Sequence, residues 1–295
     1  MYIINDGMAT NAANTLTKHY NNLSTSTQRL STGLRVNSSA DDAAGLAIRE
    51  LMRSDISALQ QGVRNANDAI SLIQTADGAL GVIDEKLIRM KELAEQAATG
   101  TYDSTQRMMI ESEYQQMASE ITRIANATDF NGVHLLNGKL SGAHNGSGMD
   151  ATGKLKIHFG TANDSAEDYY YIEIGSSTAS SLGVGNQADV SNGARAFSVS
   201  TQEAAQQALV GLNAAIVSKD KIRAHLGAIQ NRLENTISNL TIQSENLQSA
   251  ESRISDVDVA NEMTKFVTNQ ILTQSAVAML SQANNMPQLA LSLIR

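Results

Sequence analysis

Residues 52–97 read MRSDISALQQGVRNANDAISLIQTADGALGVIDEKLIRMKELAEQA. Met52, Ile56, Leu59, Val63, Ala66, Ile70 and Ile73 alternate steps of four and three. One extra step of three reaches Ala76, and the rhythm resumes through Leu80, Ile83, Leu87, Met90, Ala94 and Ala97. That spacing lays one apolar stripe along an α-helix, and the repeated three-residue step locally overwinds a coiled coil. No proline interrupts it, whereas an interior proline costs a helix about 3 kcal/mol. The stretch therefore predicts one helix from about residue 43 to 98, roughly 80 Å long at about 1.5 Å per residue. A helix of that length buries its stripe only against other helices.

On its N-terminal side lies RVNSSADDAAG, residues 35–45, where Ser39 followed by Asp42 reads as a capping arrangement with acids at the positive end of the helix. Before that, Ala9, Ala13, Leu16, Tyr20, Leu23, Thr27, Leu30 and Leu34 step by four and three, forming a heptad seam that ends near Gly33. On the C-terminal side, GTYDS (100–104) is a break with Asp103 or Ser104 as the next cap. Ile110, Tyr114, Met117, Ile121 and Ile124 form a shorter stripe after it. Asn131-Gly132 and Asn137-Gly138 suit turns with positive φ.

From about 140 to 199 Gly, Ser, Asn, Asp and Thr become common. KLKIHFG and YYYIEIG alternate apolar and polar residues and predict two strands of a β-hairpin. Helix returns at STQEAAQQ, where Ser200 and Glu203 fit a capping box. A seam then steps through Leu226, Ile229, Leu233, Thr236, Leu240, Gln243, Leu247, Ala250 and Ile254. DVDVANEM interrupts it, and a last amphipathic segment carries Met263, Phe266, Val267, Ile271, Val277 and Leu280. That segment runs into ANNMPQLALSLIR with Leu289 and Leu293, where Pro287 predicts a bend or a fresh first turn. The expected fold is mainly α: an elongated antiparallel rod of long helices and coiled coil, with N- and C-terminal helices paired and a small β-hairpin insert at the outer part. Three regions are expected: 1–42 with 253–295 as a terminal coiled coil, 43–139 with 200–252 as long helices, and 140–199 as a small surface insert.

The formal charge of -8 and a pI near 5.1 argue against nucleic acid as a partner, and no run of Lys and Arg occurs. Cysteine is absent, which removes disulfides and thiolate metal sites. MYIINDGMATNAAN lacks the basic start and apolar core of a signal peptide. No window of unbroken apolar residues is long enough to cross a membrane. Histidines 19, 134, 144, 158 and 225 show no ligand spacing on a helix. Asp41-Asp42 reads as capping chemistry rather than an acid/base pair. Gly146-Ser147-Gly148 and Gly183-Val184-Gly185 lack the strand-to-helix setting of a nucleotide loop. No enzyme, no cofactor and no metal are expected. The narrow apolar seams, however, exceed what a helix pair hides by itself. Each further Leu buried is worth roughly 1.5–3 kcal/mol, and other copies of this chain are the economical source of that burial.

RLSTGLRVNSSADDAAGLAIRELMRSDI (29–56) closely resembles the N-terminal signature of bacterial flagellins, and residues 65–100 continue it. ISDVDVANEM and the ending ANNMPQLALSLIR resemble the flagellin C-terminus. The resemblance implies a structural subunit of the flagellar filament. Such a subunit leaves the cell unfolded by type III export without a cleaved signal peptide and self-assembles outside the cell into a helical tube for motility. Leu16, Tyr20, Leu23, Leu30, Leu34, Met263, Val267, Ile271, Val277, Leu280, Leu289 and Leu293 would then form the inner-tube polymerisation seam. The implied partners are further copies of the chain, an export chaperone at the C-terminal segment, hook–filament junction and cap proteins, and the host innate receptor Toll-like receptor 5. Arg89, Leu93 and Glu113 match the receptor-recognition and stacking patch of the family. The insert is shorter than in long flagellins. A hook–filament junction protein of the same family is the alternative reading.

Overall fold

The computed structural model describes residues 7–143, 153–164, 167–186 and 197–293, with side chains up to residue 286. Its elements are α1 (Gly7–Thr32), α2 (Ala43–Ala98), α3 (Ser104–Ala127), β1 (Asp129–Phe130), β2 (Val133–His134), β3 (Leu155–His158), β4 (Tyr169–Ile172), α4 (Ala179–Leu182), α5 (Gln202–Ser255) and α6 (Val259–Leu293). The chain is mainly α, with two antiparallel two-stranded pairs, β1–β2 and β3–β4. It divides into two compact units, residues 1–56 with 244–295 and residues 57–243.

The central unit, 57–243, is a packed core of helices. The stripe read from residues 52–97 lies inside it: Leu59, Ala66, Ile73, Ala76, Leu80, Ile83, Leu87, Met90, Ala94 and Ala97 are all buried. Ala69, Leu72 and Leu93 widen that stripe because α2 is covered on more than one side. α3 sits one position rolled from its expected stripe. Ile110, Tyr114 and Ile121 are buried as expected, but Ala118 and Ala125 take the deep positions while Met117 and Ile124 are half-buried. Ala118 lies against Gly185, where a small side chain is needed for the close approach.

Two ion-pair rungs tie α2 to α5. Lys219 is 1 % exposed, and its Nζ lies 2.5 Å from Asp84 Oδ1 and 2.7 Å from Asp220 Oδ1. Two turns away along α2, Asp77 accepts from Arg223 Nε at 2.7 Å and Nη2 at 3.1 Å. The guanidinium of Arg223 holds the Asp77 carboxyl below its usual range.

Local chemistry explains the boundaries. Asp103 caps α3 in a full capping box with Gln106. Asp42, not Ser39, caps α2, with Oδ1 accepting from Gly45 N at 2.9 Å; Asp41 instead ties down the preceding turn through Asn37 N and Ser38 N. At α5 the cap is Thr201, whose hydroxyl accepts from Ala204 N; the expected Ser200–Glu203 box gives way to this single-sided cap, because Ala204 has no side chain to return the bond. Asn131 and Gly132, with φ of 51° and 82°, turn β1 into β2. α6 runs to Leu293 with no fresh start at Pro287, because a proline removes one helix hydrogen bond without ending a helix that is held elsewhere.

The hairpin β3–β4 pairs Leu155 with Ile172 and Ile157 with Tyr170, all on the side facing the helices. Tyr170 packs on Phe159 at 4.6 Å between centroids, and Arg232 of α5 lies 3.6 Å over its ring. Gly62 of α2 meets the end of β3 so closely that a Cβ there would stand 2.0 Å from the Phe159 carbonyl oxygen. Further along, Gln115 of α3 clasps two chain positions: it accepts from Asn186 N at 2.7 Å and donates to Phe197 O at 2.9 Å. Glu111, one turn earlier, accepts from Val199 N.

Candidate assembly and recognition surfaces

The terminal unit is built on α1 and α6. The chain segments next to them pair first: Leu34 bridges Asp256 antiparallel, Arg35 N donates to Ser255 O at 2.7 Å, and Val257 N donates to Gly33 O at 3.0 Å. Gly33 closes α1 with φ of 73°, a conformation costly for other residues. Arg35 and Arg49 satisfy the carbonyls of Ile254 and Val36, at 2.7 and 2.8 Å.

From there α1 and α6 run side by side, and the face each uses overlaps only in part with the one read from the sequence. α6 turns Glu262, Phe266, Asn269, Thr273, Ala276, Leu280 and Ala283 inward, a repeat of four and three. α1 uses Leu16, His19, Leu23, Ser26 and Leu30. Of the expected seam, Leu16, Leu23, Leu30, Leu34 and Leu280 are half-buried in this pair. Tyr20 is 64 % exposed, and Met263, Val267, Ile271 and Val277 are 44–57 % exposed. The side chains of Leu289 and Leu293 lie outside the described residues. The reason is periodicity: a three-four repeat is equally served by the neighbouring positions, and within this pair those neighbours face each other.

A polar contact sits inside the pair. Ser26 Oγ donates to Glu262 Oε1 at 2.7 Å, and Glu262 is only 3 % exposed. Lys265 Nζ reaches the other carboxylate oxygen at 3.3 Å. Burial opposes the ionisation of Glu262, but the Ser26 hydroxyl, Lys265 and the charge of Arg29 outweigh it and hold the carboxyl below its usual range. Along one edge of the seam, Met8, Ala12, Thr15 and His19 of α1 face Leu272, Ala276 and Met279 of α6 across an open groove of about 440 Å³. Leu272, Met279 and Met286 repeat every seven residues and are exposed.

The second candidate surface lies on the central unit. Arg89 Nε and Nη2 both donate to Glu113 Oε1, at 3.1 and 2.8 Å, joining α2 to α3, while Nη1 donates to Glu92 at 3.0 Å. Both partners are about half exposed. Leu93 does not share that surface. At 1 % exposure it is part of the core, one step from Met90, Ala94 and Ala97 on the widened stripe.

Among the described residues no three His, Cys, Asp or Glu side chains are placed to hold a metal ion. Among the same residues, no helix is long and apolar enough to cross a membrane. His144 and Gly146–Gly148 lie outside the described residues; Gly183, with φ of 72°, closes the short helix α4, and Gly185, with φ of 67°, passes against Ala118.

Both helical ends of the chain have counterparts among known proteins. The family described as bacterial flagellin N-terminal helical region matches residues 3–141, and bacterial flagellin C-terminal helical region matches residues 209–294. The chain is 42 % identical over 268 residues to Flagellin FlaB2 of Treponema pallidum, covering 91 % of each. It is 41 % identical to Flagellin of Bacillus subtilis, covering 96 % of this chain and 97 % of that one. The fold also matches the structure of a putative flagellar hook-associated protein from Vibrio parahaemolyticus at a TM-score of 0.57 and 16 % identity, covering 73 % of this chain and all of that one. With both terminal helical regions matched and full-length relatives at this identity, the chain belongs to the bacterial flagellin family.

Proposed function

We propose that this flagellin is a structural subunit of the flagellar filament, exported unfolded and polymerised outside the cell by its terminal helices. One observation carries the reading: α6 keeps Met263, Val267, Ile271 and Val277 about half exposed after α1 has packed against it. Contiguous exposed apolar stripes on a helix mark surfaces that a partner covers. A second copy is the occupant that the family supplies, and a head-to-tail contact that does not close on itself yields an open helical polymer. On this reading 1–42 with 253–295 form the inner tube, 43–139 with 200–252 the shell, and 140–199 the outer insert. Chaperone capture of the C-terminal segment belongs to the same proposal, since the described part of α6 leaves Met263, Val267, Ile271, Leu272, Val277 and Met279 exposed before assembly. The alternative, a hook–filament junction subunit, shares the terminal helices but does not extend into long polymers.

The test is polymerisation of concentrated purified protein, read by sedimentation and negative-stain microscopy. Long uniform filaments are expected, dissolving to monomer on heating. Val267→Asp with Ile271→Asp, and separately deletion of 286–295, is expected to abolish the sedimenting fraction while the central helices keep their circular dichroism. A wild-type chain that never exceeds short rings supports the junction reading, and an assembling double variant overturns the role given to the stripe.

The monomer is further proposed to be read by Toll-like receptor 5 at the Arg89–Glu113 pair. The pair is fixed by hydrogen bonds between two helices and presents charge at the surface, while Leu93 is buried in the core. Arg89→Ala is expected to weaken signalling of soluble protein in a receptor reporter line; unchanged signalling by folded Arg89→Ala overturns it.

A further inference from the structure

α1 and α6 each carry two overlapping seams that differ by a small roll of the helix. On α1 the sets differ by Ala12, His19 and Ser26 against Ala13, Tyr20 and Thr27. On α6 they differ by Glu262, Asn269 and Ala276 against Met263, Gln270 and Val277. Apolar burial alone favours the second set in both helices, because it would cover Tyr20, Met263 and Val277 in place of His19, Glu262 and Ala276. The folded pair uses the first set, and leaves Tyr20, Met263 and Val277 outside.

One contact in the first set compensates. Glu262 is buried with its carboxylate bonded to Ser26 across the pair and to Lys265 one turn along. A buried carboxylate is costly unless its oxygens are bonded. Rolling either helix toward the more apolar set takes Ser26 away from Glu262, so the polar contact and the apolar preference oppose each other. A polar contact inside a helix seam is a general means of selecting one geometry at some expense in stability.

We propose that Ser26–Glu262 is a rotational pin: it fixes which faces of α1 and α6 meet, and thereby keeps Tyr20, Met263 and Val277 turned outward. The occupant of the outward face rests on the filament reading above; the pin itself does not. Its expected signature is a trade, in which removing the pin leaves a helix pair that is formed but rolled, with its assembly stripe partly hidden.

The chain has no cysteine, so single introduced thiols report orientation directly. Gln270→Cys and Asn269→Cys are neighbours on opposite sides of the roll. In the soluble full-length protein, maleimide is expected to label the Gln270→Cys variant severalfold faster than the Asn269→Cys variant. In a Ser26→Ala/Glu262→Leu background that ratio is expected to fall severalfold or invert. Glu262→Gln, which keeps an acceptor for the Ser26 hydroxyl, is expected to retain the original ratio, and Ser26→Ala alone to lower it without changing the size of any buried apolar side chain. The same ratio in pinned and pinless chains overturns the proposal, as does a ratio near one in the pinned chain. Sedimentation of the same samples reads the filament proposal separately: failure of the pinned chain to polymerise counts against that reading, while the labelling ratio still decides the pin.

Discussion

Two buried ionised side chains behave differently because of what faces them. Lys219 is enclosed between Asp84 and Asp220, and removing it strands a partly buried Asp84. Lys219→Ala is expected to destabilise the central unit by about 3 kcal/mol, the lower end for breaking a buried pair because Asp84 keeps some water. Urea unfolding checks it, and Lys219→Met with Asp84→Leu is expected to recover most of the loss. Glu262 has a lowered carboxyl pKa in the folded chain. A depressed folded value means its contribution is present above the ordinary carboxylate range and is lost as the pH falls through the lowered value. Acid titration of the α1–α6 pair is therefore expected to be steeper for wild type than for Glu262→Gln, whose amide does not titrate; parallel curves count against it. At this scale the sequence was least informative. Leu93 looked like surface by resemblance, yet its place beside Met90, Ala94 and Ala97 completes a stripe wide enough for a helix covered on several sides. Glu262 could not be paired with Ser26 in advance, because a contact across 236 positions has no local signature.

At the scale of elements, the long helices and the hairpin were legible because their signals are long and regular. The four-three rhythm of α2 runs through many turns, and the alternation in KLKIHFG and YYYIEIG fixed both the strands and the sides they present. Cap positions were legible to within a few residues, and the last choice between Ser200 and Thr201 or between Ser39 and Asp42 rested on which side chain reaches the free amides. The roll of α1 against α6 was not legible, since a periodic stripe defines its own centre only to within one neighbouring position. Core depth follows the stripe. Leu87, fully buried on α2, is expected to cost about 2–5 kcal/mol as Leu87→Ala, from lost contacts and an uncollapsed cavity. Ile88, next in sequence but exposed, is expected to change stability by less than about 0.5 kcal/mol as Ile88→Ala. Comparing the two by thermal melts separates depth from residue type.

At the scale of the whole molecule, the two units divide the work of one subunit. The central unit has a buried core of its own, so the stability that core supplies is a property of the single chain. The terminal unit leaves apolar stripes uncovered, so its stability depends on concentration through whatever covers them. Melting of the terminal unit is expected to shift upward with protein concentration, while the central unit melts at a constant temperature; a concentration-independent terminal transition opposes the division. The clasp made by Gln115 has a consequence for engineering. The chain leaves at Asn186 and returns at Phe197 through the two ends of one amide side chain. The core is thereby insulated from the length of whatever is spliced between them, since doubling a closed loop costs only about 0.6 kcal/mol. A foreign epitope grafted between them is therefore expected to ride as cargo, leaving the melting of the helices beneath unchanged.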